Sequence, residues 1–136
     1  MVVVDCDTRD CVRFLRELDA ILRDCHPAPR TLFRLAIEET EAWYFGDHDA
    51  ITTAYPHAKR PVLDSYEQDS QRGTWERLAD ALYPGGAAKL IEEGWPRPGE
   101  VKCEWARMIA PRMDPSLNES HSFGKFRDGL RRLAEG

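Results

Sequence analysis

Val2, Val3 and Val4 form an unbroken β-branched run that stops at Asp5. A run of that kind bounded by a charge predicts a strand buried on both faces. The period then lengthens. Val12, Leu15, Leu18 and Leu22 recur every three or four residues, with Arg13, Arg16, Glu17 and Arg23 on the other side of the same helix. Thr8 is the expected N-cap, and the H-P-A-P stretch from His26 to Pro29 ends the helix. Phe33, Leu35 and Ile37 next alternate with Arg34 and Ala36, which predicts a second strand running into a helix at E-E-T-E-A-W-Y-F. Strand, helix, strand in that order favours a parallel pair joined by a right-handed crossover.

Beyond Gly46 the pattern is helical. Asp47 caps the short segment H-D-A-I-T-T-A-Y, which Pro56 stops. Residues 56 to 73 turn polar and predict a long loop with little regular structure, of a length that is functional or mobile in compact domains. Thr74 caps W-E-R-L-A-D-A-L-Y, ended by Pro84, Gly85 and Gly86, and A-A-K-L-I-E-E-G-W closes at Gly94 and a W-P-R-P-G turn. A further helix places Val101, Trp105 and Met108 on one side and is bent or ended by Pro111. The last helix carries Phe123, Phe126, Leu130 and Leu133 on one stripe. The predicted fold is α/β: a Rossmann-like parallel sheet core over residues 1–45 and a mostly helical remainder over 46–136, in one domain.

Composition narrows the classes. With 136 residues, 42% of them hydrophobic and 32% charged, the chain reads as globular rather than disordered. A net charge of -5 argues against a protein that simply coats nucleic acid, though a local basic face remains open. No stretch approaches the roughly 20 apolar residues of a membrane span, and the M-V-V-V-D opening is too short for a signal-peptide core, so a cytoplasmic location is expected. In that reducing compartment Cys6, Cys11, Cys25 and Cys103 default to free thiols. A zinc set of Cys6, Cys11, Cys25 and His26 lacks a C-x-x-C knuckle, so buried, inert cysteines are the expectation.

The chemistry concentrates in carboxylates. Asp5 and Asp7 stand two residues apart at the end of the first strand, where alternation points both to one side. Open α/β sheets bind ligands at the carboxyl ends of their strands. The second strand delivers Glu38, Glu39 and Glu41 to the same edge, with Arg34 as a counter-charge. Such a crowd of acids invites a hard divalent cation, magnesium or manganese, which takes one or two carboxylates and keeps several waters. The competing reading is ordinary helix capping by Asp and Glu. Elsewhere, His48 and His57 read as surface histidines, and most of Trp43, Trp75, Trp95 and Trp105 as core or groove lining. Ser122 reads as a helix cap. The alternative is a phosphate contact near Asn118 and Ser120, with Lys125, Arg127 and Arg131 giving that helix a basic face toward a nucleic-acid backbone or an acidic partner.

The strand-D-x-D opening, the block F-R-L-A-I-E-E-T-E-A-W-Y-F-G-D-H-D-A-I and the terminal N-x-S-x-S-F together resemble a bacterial domain-of-unknown-function family of Toprim-like proteins. Its most specific part is Glu39-Thr40-Glu41-Ala42-Trp43. The resemblance implies a Toprim-like fold, magnesium-dependent phosphodiester chemistry, and an ATPase partner of the AAA or SMC-like type in bacterial defence or DNA repair. Toprim domains use a glutamate after a first strand and a D-x-D after a later one, so Asp5 and Asp7 correspond to metal ligands. The first strand and its glutamate belong before Asp5, a stretch this sequence does not contain. Glu39 or Glu41 is then the expected third, catalytic carboxylate. The uncovered sheet edge favours pairing with another copy or partner. The expected function is a magnesium-dependent, nuclease-like subunit acting on DNA or RNA. The alternative is a non-catalytic interaction subunit or self-associating scaffold of an ATPase complex.

Overall fold

The computed structural model describes residues 1–135. Strand β1 (Val2–Asp5) leads through helix α1 (Cys11–Asp24) into strand β2 (Phe33–Ala36). The strands pair in parallel, Val2 opposite Phe33 and Asp5 opposite Ala36. Parallel partners need a crossover long enough to return the chain, and α1 is that crossover. The rest is helical: α2 (Glu41–Phe45), α3 (His48–Ala54), α4 (Arg60–Asp64), α5 (Thr74–Leu82), α6 (Gly86–Glu93), α7 (Arg97–Ile109) and α8 (His121–Ala134), with a 3-10 turn over Ala110–Arg112. The architecture is therefore mixed α/β, with a two-stranded parallel sheet and a helical body.

Two apolar clusters hold these parts. The larger lies among the helices, where Phe45, Ile51, Leu63, Leu78, Leu90, Val101, Trp105 and Ile109 are buried. The smaller joins Cys6, Phe14 and Leu35, with Val4, Cys11, Leu15 and Leu18 against them. α1 and α8 both pack on β2. Among the described residues β1 is less covered: Val4 packs on the small cluster, but Val2 and Val3 are 40% and 38% exposed, so the expected burial on both faces is not found. A two-stranded sheet has no inner strand, and β2 receives the packing because both helices lie against it.

Several local readings shift for physical reasons. Asp10, not Thr8, caps α1, its carboxylate accepting from the Arg13 N–H at 2.7 Å. Phe14 takes the buried position of that helix while Val12 faces solvent. The expected loop after Pro56 contains α4, anchored by fully buried Leu63. Helix α7 starts at Arg97, inside the expected turn, because a proline in the first helical turn loses no intrahelical hydrogen bond. Ser120 rather than Ser122 caps α8, accepting from the Phe123 N–H at 3.1 Å. On α8 the apolar stripe is incomplete, since Leu130 is exposed.

Gly46 is where the segment after β2 meets the approach to α8. Its carbonyl accepts from the Glu119 N–H at 2.8 Å. A Cβ at this position would overlap the Asn118 side-chain amide and come within 2.8 Å of the Ser120 nitrogen. Gly46→Ala should therefore lower stability by about 1–3 kcal/mol through overpacking. Urea denaturation checks this, and an unchanged midpoint would mean the α8 approach shifts freely.

Candidate functional site

The C-terminal edge of the sheet is built from two irregular segments. β1 ends at Asp5, and Asp7 lies beyond it with φ 48°. Facing it, Glu38 has φ 59°, and the Asp7 N–H donates to the Glu38 carbonyl at 2.8 Å. The left-handed region is disfavoured for both residue types and most of all for glutamate, so the surrounding bonds must hold them there. Gln71 does so for Asp7, its Nε2 donating to the Asp7 carbonyl at 2.6 Å and to that of Arg9 at 3.0 Å. The simple alternation expected of Asp5 and Asp7 therefore stops at Asp5, although the Asp7 charge still reaches Asp5.

The acids of the second strand divide. Glu38 turns to α5, where its carboxylate accepts from the Gly73 N–H at 3.0 Å, the Thr74 N–H at 2.6 Å and the Thr74 hydroxyl. That is a helix cap supplied from 36 residues away, and it replaces the Thr74 cap expected from local sequence. Glu39 and Glu41 instead converge on Lys102 of α7, whose Nζ lies 2.8 Å from Glu39 Oε2 and 3.3 Å from Glu41 Oε1. The counter-charge is thus Lys102 and not Arg34. The Arg34 guanidinium donates to the Lys125 carbonyl at 2.7 Å and to its neighbour Phe33's carbonyl at 2.7 Å.

Electrostatics tie Asp5 into this group. Burial raises the Asp5 pKa, and Glu39 raises it further against the opposing pull of Lys102. Glu41 is 4% exposed, and its pKa is pushed up to about 6 by burial, which outweighs Lys102. Burial works against the Lys102 charge, but Glu39 and Glu41 overcome it and raise its pKa. Tyr44 is pushed up to about 12 by burial and by Glu41, so it remains a neutral hydroxyl. Glu76 of α5, raised by burial and then by Glu39 and Glu38, presents a buried Oε2 with no hydrogen-bond partner among the described residues. The structure therefore gathers Asp5, Glu39, Glu41, Lys102 and Glu76 at one edge.

Lys102 and Glu76 were not legible as site residues. Each sits on an amphipathic helix where a charge is ordinary, and only packing brings α5 and α7 to the sheet edge. Among the described residues no three His, Cys, Asp or Glu side chains converge to hold a metal ion as they stand.

The expected nucleic-acid residues all belong to α8. The side chain of Lys125 borders a cavity of about 280 Å³ with Leu15 and Phe33. Arg127 is half-buried and bound to the Pro115 carbonyl at 2.6 Å and to Asp128 at 3.2 Å. Arg131 is exposed, 3.9 Å from Asp128. The α8 N-terminus is also occupied. Asp69, with φ 55°, accepts from the Ser120 hydroxyl at 2.9 Å, the Ser122 hydroxyl at 2.7 Å and the Ser122 N–H at 2.8 Å. The anion at this helix start is the chain's own carboxylate, where a phosphate contact had been the alternative reading. Trp43 completes the joint, donating from Nε1 to the Ser122 hydroxyl at 2.9 Å and stacking on Phe126.

The zinc set does not assemble either: Cys25 and His26 are exposed at the end of α1, and Cys103 is exposed too, so two of the four thiols are not core residues. His48 is half-buried, 3.5 Å from Asp64, rather than free on the surface. No protein-family model, characterised protein or solved structure matches this chain. No helix among the described residues is long and apolar enough to cross a membrane.

The raised Glu41 pKa has a signed consequence. Folding favours its protonated form, so its contribution is complete below the ordinary value of 4.5 and is lost as pH rises through about 6. Relative to a Glu41→Gln variant, the parent should lose about 2 kcal/mol of stability between pH 4.5 and pH 7. Urea titrations of both proteins at the two pH values measure it. Parallel stabilities would show that Lys102 keeps Glu41 ionised throughout.

Proposed function

We propose that this chain is a Toprim-like, magnesium-dependent nucleic-acid-processing subunit of the nuclease type, working with an AAA or SMC-like ATPase in bacterial defence or DNA repair. The observation that carries the reading is the approach of Asp5 to Glu39, with Glu41 joined to Glu39 through Lys102, at the carboxyl edge of a parallel strand pair, which is where open α/β sheets place ligands. The donor chemistry suits the cation, since hard carboxylate oxygens take magnesium or manganese, and Glu39 and Glu41 must turn from Lys102 to converge on it.

In this reading Asp5 and Asp7 hold the ion, and Glu39 and Glu41 complete its surroundings. When bound, the ion would stabilise charge on a phosphate and lower the pKa of a bound water. The remaining roles belong to the chain. Lys102 neutralises Glu39 and Glu41 while the acids are unshielded. Glu41, titrating near 6, can carry a proton at the edge. Lys125 and Arg131 offer exposed cations to a phosphodiester backbone, whereas Arg127 is committed to the approach of α8.

A second reading, a non-catalytic subunit docked on a partner, is favoured by Trp95. It is 82% exposed, four residues after exposed Ile91 in sequence, and side chains of that kind anchor protein interfaces.

Calorimetry with magnesium or manganese separates the two. Saturable binding should vanish in Asp5→Ala and tighten by about tenfold in Lys102→Met, because losing about 1.4 kcal/mol of competing charge interaction is a tenfold change in affinity. Magnesium-dependent cleavage of DNA or RNA should be lost with Asp5. No heat from the parent, or equal binding by parent and Asp5→Ala, would remove the enzymatic reading and leave the docking one.

A further inference from the structure

Cys6 and Cys11 bracket the loop that carries Asp7, and their Sγ atoms lie 3.1 Å apart. Cys6 is fully buried in the small cluster with Phe14 and Leu35, its thiol also directed to the Arg9 carbonyl at 3.2 Å. Cys11 is half-buried and borders the cavity of about 280 Å³ between α1, β2 and α8. Both ends of the loop are fixed. The Arg9 N–H donates to the Cys6 carbonyl at 3.1 Å, Gln71 holds the Asp7 and Arg9 carbonyls, and the Asp10 side chain caps α1. Among the described residues no other two thiols stand within hydrogen-bonding reach of each other.

We propose that Cys6 and Cys11 form a thiol modification site: a reversible intramolecular disulfide made by a hydroperoxide. Bonding requires the sulfurs to approach by about 1 Å, to the usual ~2.05 Å. Fixed anchors on both sides make the pair effectively concentrated, as for any preoriented intramolecular reaction.

The order of events follows from access. The sulfur of Cys11, the one bordering the cavity, attacks a peroxide oxygen. An S–O bond forms, the O–O bond breaks, and the other oxygen leaves as an alcohol, or as water when the oxidant is hydrogen peroxide. Cys11 is then a sulfenic acid, oxidised by two electrons, and the peroxide is reduced by two. The Cys6 sulfur attacks that of Cys11, the S–S bond forms, the S–O bond breaks, and the departing hydroxide takes the Cys6 proton as water. Two thiols and one hydroperoxide thus become one disulfide, one water and one alcohol or second water. An external dithiol reverses it by exchange. Cys25 and Cys103, exposed and without a neighbouring thiol, have no equivalent intramolecular route. The disulfide stands or falls independently of whether the adjacent carboxylates hold a cation.

Hydrogen peroxide followed by alkylation and mass spectrometry tests it on the folded protein. Trypsin cleaves between the two cysteines, after Arg9, so the oxidised protein should yield the peptides Met1–Arg9 and Asp10–Arg13 as one linked species, two hydrogens lighter than their sum. Dithiothreitol should restore both thiols together. In a Cys25→Ser, Cys103→Ser background the same link should form with no covalent dimer. Adding Cys6→Ser there should leave Cys11 as a sulfenic acid trapped by dimedone. Overturning results are Cys6 and Cys11 both still alkylated after oxidation and unfolding, Cys11 passing to sulfinic acid with Cys6 untouched, or a link between chains. The parent protein carries the peptide-mapping arm whatever the variants do.

Discussion

One ammonium group sets the charge balance of the acid-lined edge of this sheet. Lys102 reaches from α7 to Glu39 and Glu41, and without a positive charge between them two carboxylates, one of them nearly enclosed, would sit in a region of low polarity with like charges from Asp5 and Glu76 close by. Even against the opposing pull of Lys102, burial raises the Glu41 pKa to about 6, which reflects how poorly the site solvates an anion. Removing one partner from a pair this enclosed typically leaves a penalty of several kcal/mol. The same contact is one of the bonds between the sheet edge and the helical body, so it serves electrostatics and architecture together.

The other joints follow a common pattern. The two apolar clusters are separate, and polar groups from loops span between them. Glu38 crosses to cap α5, Gln71 crosses to the Asp7 loop, Gln68 donates to the Phe45 carbonyl at 2.7 Å, and Asp69 takes the hydroxyls and amide at the start of α8. Residues 67 to 73, which composition marks as a plain polar loop, are thus a tether. Among the described residues the non-glycine positions with positive φ, Asp7, Glu38 and Asp69, all lie at these joints. Each is held in an unfavoured conformation by bonds that link distant parts of the chain.

This arrangement gives the proposed chemistry a specific setting. An ion entering the edge must compete with Lys102, so the cation already present and the cation proposed would share the same carboxylates. The thiol pair of Cys6 and Cys11 lies one residue from both Asp5 and Asp7 in the first case and at the head of α1 in the second. A covalent link there would close a ring around Asp7, whose backbone conformation is already the most constrained in the loop.

Periodicity and breakers were enough to establish the local elements: the strand pair around an intervening helix, the Asp47-capped helix and the helical second half all depend on spacing and on proline and glycine positions, which are properties of neighbouring residues. The nearness of Asp5 to Glu39 follows from spacing for the same reason, because parallel strands ending together put their acids at one edge. Tertiary structure alone decided the partners. Glu38 left the acids to cap a helix 36 residues away, Lys102 displaced Arg34 as the counter-charge, and the serines at the start of α8 received Asp69 instead of an outside anion. Those choices turn on which helix packs against which edge. A single charge on an amphipathic helix reads the same from sequence whether it faces water or closes a buried carboxylate pair.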